Sequence, residues 1–510
     1  MDETKGKTLM QSTSPATTSD DGQVGQHNST LKSNRFSFWG TIGVQFSVTA
    51  SPLAIASWAT LLPGAGGSPY LFWGYIVAVT GQIVTALSLA EMAGAFPSVS
   101  GQTYWTARLS DCKSARFLSY INGSLTCWGW ILITAGSAVY AANFIASFAI
   151  ILVADYTPHA WHIYLITIAV TSICLLFNSA LIRAMSAITI FMVFFLNIAA
   201  LFIFITLLAV TSPKASARTA FIDVVNETGW DSDGIVFMTG ILPGCLTVAL
   251  FDAAAHLAEE TPNPSKDIPI VMVGNTVLST LGGLIMIVAI IFCTLHPENL
   301  VTPLAGQVIL QIAHDAWPMQ GFVITVCVIY IVMTSNGLSS VLLGASRILW
   351  TFARSGGTPF QNWIGATDDR LEAPINAVLV STFIPLLFSL LLFGPTTVLN
   401  ALFGAGICCV VISYMMPNVL LLIKGRDQAF PSERHFRLGK FGTLINTLTI
   451  CWSIIVVLFL SFPTVMPVTS GNMNMTAAGL GVVTILSMAN WFMVKSSYKV
   501  PEGIHDSFLA

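Results

Sequence analysis

Residues 240–256 read GILPGCLTVALFDAAAH, an apolar run interrupted by Pro243-Gly244 and carrying an acid, Asp252, beyond the interruption. In hydrocarbon an unpaired backbone group costs several kcal/mol, so a helix broken at mid-membrane needs a compensating reason, commonly a lined cavity. An ionisable side chain at that depth is costly enough to mark a functional site by default. Asp252 is the only carboxylate that hydropathy places within the apolar part of any span.

That stretch is one of twelve. Apolar segments near the length of about 20 residues that a bilayer core demands recur at 38–61, 70–96, 117–152, 161–179, 187–211, 234–257, 268–295, 318–352, 375–394, 396–423, 443–463 and 475–495. The chain of 510 residues is 54% hydrophobic and 9% charged, against about a quarter charged in a soluble domain. A β-barrel is excluded by runs such as 281–292 and 454–460, which lack apolar/polar alternation. The fold expected is an all-α integral membrane protein.

Charge placement tests the count. Short cytoplasmic loops retain Lys and Arg, and with the amino terminus inside, 19 of the 21 basic residues fall on the cytoplasmic side. Only Lys214 and Arg218 fall outside. A miscounted span would invert every later loop, so twelve spans with both termini cytoplasmic is the expectation. The plasma membrane is the expected location, with a vacuolar or other organellar membrane as the alternative. The net charge of −3 and the lack of a basic cluster interleaved with aromatics give no reason to expect nucleic acid.

The parts follow from composition: a disordered tail over 1–35, a transport core over 36–423, a basic cytoplasmic loop over 424–442, two more spans over 443–495 and a short tail over 496–510. The nine cysteines lie in predicted spans, apart from Cys112 in a cytoplasmic joint, and imply no disulfide framework. Asn226-Glu227-Thr228 is a candidate glycosylation site in the longest outer loop, whereas the sequon at Asn28 faces the cytosol and that at Asn474 lies too near the bilayer. No cluster of metal ligands and no nucleophile paired with a base is visible, so neither enzyme chemistry nor a cofactor is expected.

A second interruption lies in span one, FSVTASPL at 46–53, where Pro52 removes a donor and Ser47, Thr49 and Ser51 offer hydroxyls to the freed groups. Breaks in spans one and six, five apart, are what two inverted five-helix repeats produce, with ligand held between the broken helices. A simple proline kink at each is the plainer reading, since Pro385 and Pro417 also fall inside spans. For Asp252 two readings stay open: partner of a substrate ammonium or coupling proton, or an acid bonded to backbone N–H groups at the break. His256, one turn on, is placed to pass a proton with Asp252 or simply to bind it. Aromatic faces attract ammonium groups, and Phe251, Trp128, Trp130 and Tyr140 are the mid-membrane candidates.

Three segments resemble the amino acid–polyamine–organocation superfamily, and within it the fungal amino acid/choline transporter branch. They are Glu91-Met92 with Pro97 through Gly101-Gln102 to Trp105, Phe251-Asp252 with His256 and Glu259 through Pro269, and Ala345-Ser346-Arg347 through Arg354-Ser355-Gly356-Gly357 to Ala377. Ser100 stands where the first motif usually has glycine. The resemblance covers roughly 38–495. It implies the five-plus-five inverted repeat with broken helices one and six, two further helices, and secondary transport of an amino acid or related amine by alternating access, with a proton gradient as the expected driving force and symport as the expected form.

Carried over residue by residue, the resemblance places substrate at Thr49, Ala50 and Ser51 and at Ala249, Leu250, Phe251 and Asp252. Asp252 and His256, from the reading of the residues themselves, remain the candidates for proton coupling. Glu259, Glu260, Arg347 and Arg354 lie at cytoplasmic helix ends and are candidates for an inward gate, against the plainer reading of solvated scaffold charge. Many amino-acid-carrying relatives have Gly-Ser-Gly where this chain has Thr49-Ala50-Ser51-Pro52. The methyl of Ala50 crowds the close backbone approach a carboxylate needs, which keeps choline, γ-aminobutyrate and polyamines in play. Some proton-coupled relatives carry a lysine in helix five, and residues 187–211 have none. A nutrient sensor on the same scaffold is the alternative from another class.

Overall fold

The computed structural model describes residue 31 and residues 35–111, 113–153, 155–394, 396–432, 434–469 and 472–501. The sequon at Asn28, the joint cysteine Cys112 and most of both expected tails lie outside the described residues. Among the described residues, twelve helices are long and apolar enough to cross a membrane. In order, spans one to twelve are Phe38–Leu61, Gly67–Ala95, Ala115–Leu152, Ala160–Asn178, Ile182–Val210, Asp233–Glu260, Pro264–Cys293, Gln320–Arg354, Ile375–Phe393, Phe403–Lys424, Gly439–Leu460 and Thr476–Val494. Each overlaps the segment expected from hydropathy. Among the described residues the β structure is limited to two isolated bridges, Ala65 with Asn226 and Asp368 with Ala373.

Spans three and eight, of 38 and 35 residues, would each exceed 50 Å in length at about 1.5 Å per residue. Both are longer than the roughly 30 Å hydrocarbon thickness, so they must tilt or project beyond it. They pack against each other, and span three also packs along span ten. Close approach is made by small residues, as Gly344 beneath the Trp130 ring and Gly129 against Val410 show. Span five lies at the periphery, where Phe191, Phe194, Ile198, Leu201 and Ile205 expose an apolar stripe at helical spacing.

Both interrupted spans are broken, though not at their prolines. Span one is helical over Phe38–Thr49, turns at Ala50 with φ 40° and ψ 33°, and restarts at Ser51. Span six is helical over Asp233–Gly240 and Leu242–Thr247, turns at Leu250 with φ 60° and ψ 31°, and continues as a tight helix over Phe251–Glu260. Pro52 and Pro243 instead occupy first-turn positions of restarted segments, where the missing N–H is an orphan in any case. A left-handed residue with a side chain costs about 1–2 kcal/mol, and both breaks place one there. The correspondences of span one with six and of span three with eight are those of two five-helix repeats.

Contacts between distant segments agree with the parity of the spans. Arg35 before span one meets Glu260 at the end of span six, Lys424 after span ten donates to Arg108 O, and Arg116 before span three donates to Tyr498 O beyond span twelve. All these groups lie on one face, the one on which charge placement gathers the basic residues.

Candidate functional site

The described break residues are sealed: Thr49, Ala50, Ser51, Ala249, Leu250, Phe251 and Asp252 are all at most 7% exposed. Several freed backbone groups are bonded by side chains. Gln45 Nε2 donates to Leu250 O at 3.0 Å while its Oε1 accepts the Ala254 N–H at 3.0 Å, so one amide from span one spans the break in span six. Ser51 Oγ donates to Thr247 O at 2.5 Å, and Tyr330 Oη donates to Leu53 O at 2.7 Å. Thr49 Oγ1 lies 3.3 Å from Ser279 Oγ and accepts from Asn275 Nδ2 on span seven at 3.4 Å.

Asp252 is fully buried and engages three side chains. Gln102 Nε2 donates to Oδ2 at 2.6 Å, Tyr414 Oη from span ten donates to Oδ1 at 2.5 Å, and His256 Nε2 lies 3.0 Å from Oδ2. His256 is pinned in turn by Nδ1, 2.8 Å from Val99 O. Gly101, with φ 49°, lets the joint after span two pass beneath that ring, since a Cβ there would lie 3.0 Å from His256 Cε1. The Pro97–Gly101 reversal therefore does more than turn the chain: it delivers Val99 and Gln102 to the break in span six.

Phe251 packs against Tyr414 with ring centroids 5.1 Å apart, and Trp130 meets His256 edge-on at 5.7 Å. These three aromatics share the buried cluster that contains the break. Trp128 and Tyr140 do not join it: the first packs on Phe388 and the second on Phe144, in other clusters. Helical direction, which spacing alone leaves open at such distances, turns both away.

At the end of span six Glu260 is fully buried, bonded by Arg347 Nε at 2.9 Å and paired with Arg35 Nε at 3.3 Å. Arg347 is itself fully buried, so this pair is not solvated helix-end charge. Arg35 also donates to Leu371 O and Glu372 O, tying the approach to span one to the loop before span nine. Glu259 and Arg354 do not join this ion pair. Arg354 lies over the Trp350 ring at 4.8 Å.

Asp252 is not the sole buried acid. Glu91 in span two is fully buried, its Oε2 accepting from Arg426 Nη2 at 2.5 Å and its Oε1 from Arg434 Nη2 at 3.0 Å and the Leu438 N–H at 3.1 Å. Both guanidiniums also face the Phe430 ring, which stacks on Phe96. The basic loop after span ten is thereby clipped to the end of span two. Its charge run was legible in the sequence, but its partner was not. Outside the spans, Asn226 is exposed, with Nδ2 donating to Trp230 O and to Asp233.

Comparison with known proteins agrees with this architecture. A family model described as "Amino acid permease" matches residues 36–485. A choline transporter of Saccharomyces cerevisiae is 28% identical over 463 residues, covering 89% of this chain and 80% of the relative. A putative amino acid/polyamine transporter of Macrophomina phaseolina is 29% identical over 448 residues, covering 86% and 97%. Amino-acid permease 2 of Neurospora crassa is 24% identical over 462 residues, covering 90% and 84%. With twelve spans, breaks in the first and sixth, and a family match across nearly the whole membrane region, this chain belongs to the amino acid permease family of the amino acid–polyamine–organocation superfamily and is a multi-pass membrane transporter of amino acids or related amines.

Proposed function

We propose that the chain moves an amine-bearing cation by alternating access, with substrate held between the breaks at Thr49–Ser51 and Ala249–Asp252 and with a proton gradient as the driving force. The observation that carries this reading is Asp252, an acid buried at the break in span six, bonded by Tyr414 and flanked by Phe251, whose ring packs on that tyrosine. A carboxylate supplies the counter-charge, and the aromatic faces attract an ammonium without requiring hydrogen bonds from it. The methyl of Ala50, at the left-handed turn of span one, leaves less room there for the carboxylate of an α-amino acid than glycine would. Together with a relative named as a choline transporter, this favours quaternary or other carboxylate-free amines over α-amino acids.

The basic face is taken as cytoplasmic, which puts both termini inside and Asn226 outside as a glycan acceptor, and the plasma membrane is taken as the membrane. Glu260, Arg347 and Arg35 then close the inward path, with Glu259 and Arg354 beside them as scaffold. The deciding experiment is uptake by reconstituted vesicles of labelled choline, γ-aminobutyrate, putrescine and α-amino acids, with and without a proton gradient. Wild type should move the carboxylate-free amines best, and Asp252→Asn should lose at least tenfold in uptake while still reaching the membrane. Undiminished uptake by Asp252→Asn would remove the carboxylate from the mechanism. Failure to move any member of the panel would leave a sensor on a transporter scaffold.

A further inference from the structure

The hydrogen bonds around Asp252 determine how many protons the site holds. Val99 O, a carbonyl, can only accept, so His256 Nδ1 at 2.8 Å must carry a hydrogen. In a neutral imidazole with that tautomer, Nε2 is a lone pair. Oδ2 of an ionised Asp252 is also a lone pair, and the two atoms lie 3.0 Å apart with no exposure to solvent. Two acceptors cannot make that contact favourable. One further proton must lie between them, as imidazolium facing carboxylate or as imidazole facing carboxylic acid, and in either form the pair is electrically neutral.

The surroundings supply no compensation for a second positive charge. Among the described residues no Lys or Arg bonds to or ion-pairs with Asp252 or His256, and no other acid does. From span ten Tyr414 faces the carboxylate as a phenol donor, and from the joint after span two Gln102 faces it as a neutral amide. Span one presents Gln45, also neutral, to the backbone of the break. Span three presents the Trp130 ring to His256, and Tyr104, Tyr120, Tyr498, Cys127, Cys245 and Cys408 are the remaining titratable groups in the same buried cluster. Further along the segment, Glu260 is committed to Arg347 and Arg35, and Glu259 has Arg354 as its basic neighbour.

We propose that the proton on the Asp252–His256 pair and a monovalent cationic substrate exclude one another, so that this permease exchanges its substrate for a proton at a single buried site. A cation arriving beside the loaded pair would leave a net charge of +1 in an apolar cluster, which burial disfavours strongly. When the proton departs first, the pair becomes −1 and matches one monovalent cation. Tyr414 and Gln102 are already in place to stabilise the bare carboxylate during the handover. Per cycle one cation crosses one way and one proton the other: no covalent bond changes, and no net charge crosses the membrane. This inference rests on the cation-transport reading above and fixes the sense of its coupling as exchange, in place of symport.

Wild-type protein in proteoliposomes, with labelled choline as the probe, tests it. Exchange predicts that acid inside accelerates choline entry, acid outside slows it, and an imposed membrane potential changes neither. In weakly buffered detergent solution, choline binding should release close to one proton per molecule bound, read with a pH indicator, and Asp252→Asn should release none. Apparent choline affinity should fall as the medium is made more acid. Uptake accelerated by acid outside and by an inside-negative potential would establish symport and overturn the exchange. Uptake driven by potential alone, with no proton released on binding, would overturn it as well while leaving cation transport intact. No choline movement under any gradient would overturn the cation reading beneath it.

Discussion

Glu260→Gln tests the gate most directly, because it keeps the side chain's shape and removes only its charge. In the structure this carboxylate has no accessible surface and faces Arg347 Nε at 2.9 Å and Arg35 Nε at 3.3 Å. Removing one partner of a buried pair costs about 3–5 kcal/mol, since the remaining charge is left uncompensated. Here two guanidiniums lose one anion, and Arg347 has no exposure through which to recover hydration. If the closure separates during transport, that cost falls on the closed state alone, because an open cytoplasmic path hydrates both arginines. At about 1.4 kcal/mol per tenfold, 3 kcal/mol shifts the population toward inward-open by roughly a hundredfold. The readout is labelling of Ala249→Cys by an impermeant maleimide applied from the cytoplasmic side, with and without Glu260→Gln. A rise of one to two orders of magnitude in labelling rate is expected, with uptake falling in parallel. Unchanged labelling in a variant whose thermal stability has dropped would show the triad to be static scaffold and refute the gate.

Three more outcomes follow from the same packing. Gln45→Leu removes the amide that satisfies Leu250 O and the Ala254 N–H, and at about 1–3 kcal/mol for each buried group left unpaired it should lower the midpoint of thermal unfolding and abolish uptake together. Ala50→Gly relieves a left-handed turn worth about 1 kcal/mol and opens the backbone of span one; competition assays should then detect α-amino acids as inhibitors that leave wild type unaffected. Glu91→Gln breaks the clip to Arg426 and Arg434 and should cost about 3 kcal/mol, seen as faster proteolysis in the loop between spans ten and eleven.

Much of the architecture was legible in the chain itself. Span number depends on local hydropathy, and the alternation of faces depends on where Lys and Arg lie, so neither needs knowledge of packing. The neighbourhood of each break was legible too, because Pro52 and Pro243 with nearby hydroxyls and one acid are rare inside apolar runs. The turning residues themselves were not. Proline marks where a helix can begin again, whereas Ala50 and Leu250 adopt left-handed geometry for no reason visible in their side chains. Gln102 lay inside a recognisable motif without showing what it bonds, and Tyr414 is inconspicuous in span ten.

The sequence by itself determined twelve spans and the neighbourhoods of the two breaks, because these follow from local transfer free energies and from helix-breaking residues within apolar runs. Only the tertiary structure decided what Asp252 faces, since Gln102 and Tyr414 lie 150 and 162 residues away along the chain. The same holds for Glu91, which sequence places in a recognisable motif at the close of span two without showing that it is buried against Arg426 and Arg434. A hydrogen bond or ion pair is set by distances of about 3 Å, and those distances arise only when tilted helices pack. The proton count at the site belongs to that level as well: it depends on a carbonyl, Val99 O, arriving within 2.8 Å of one ring nitrogen of His256.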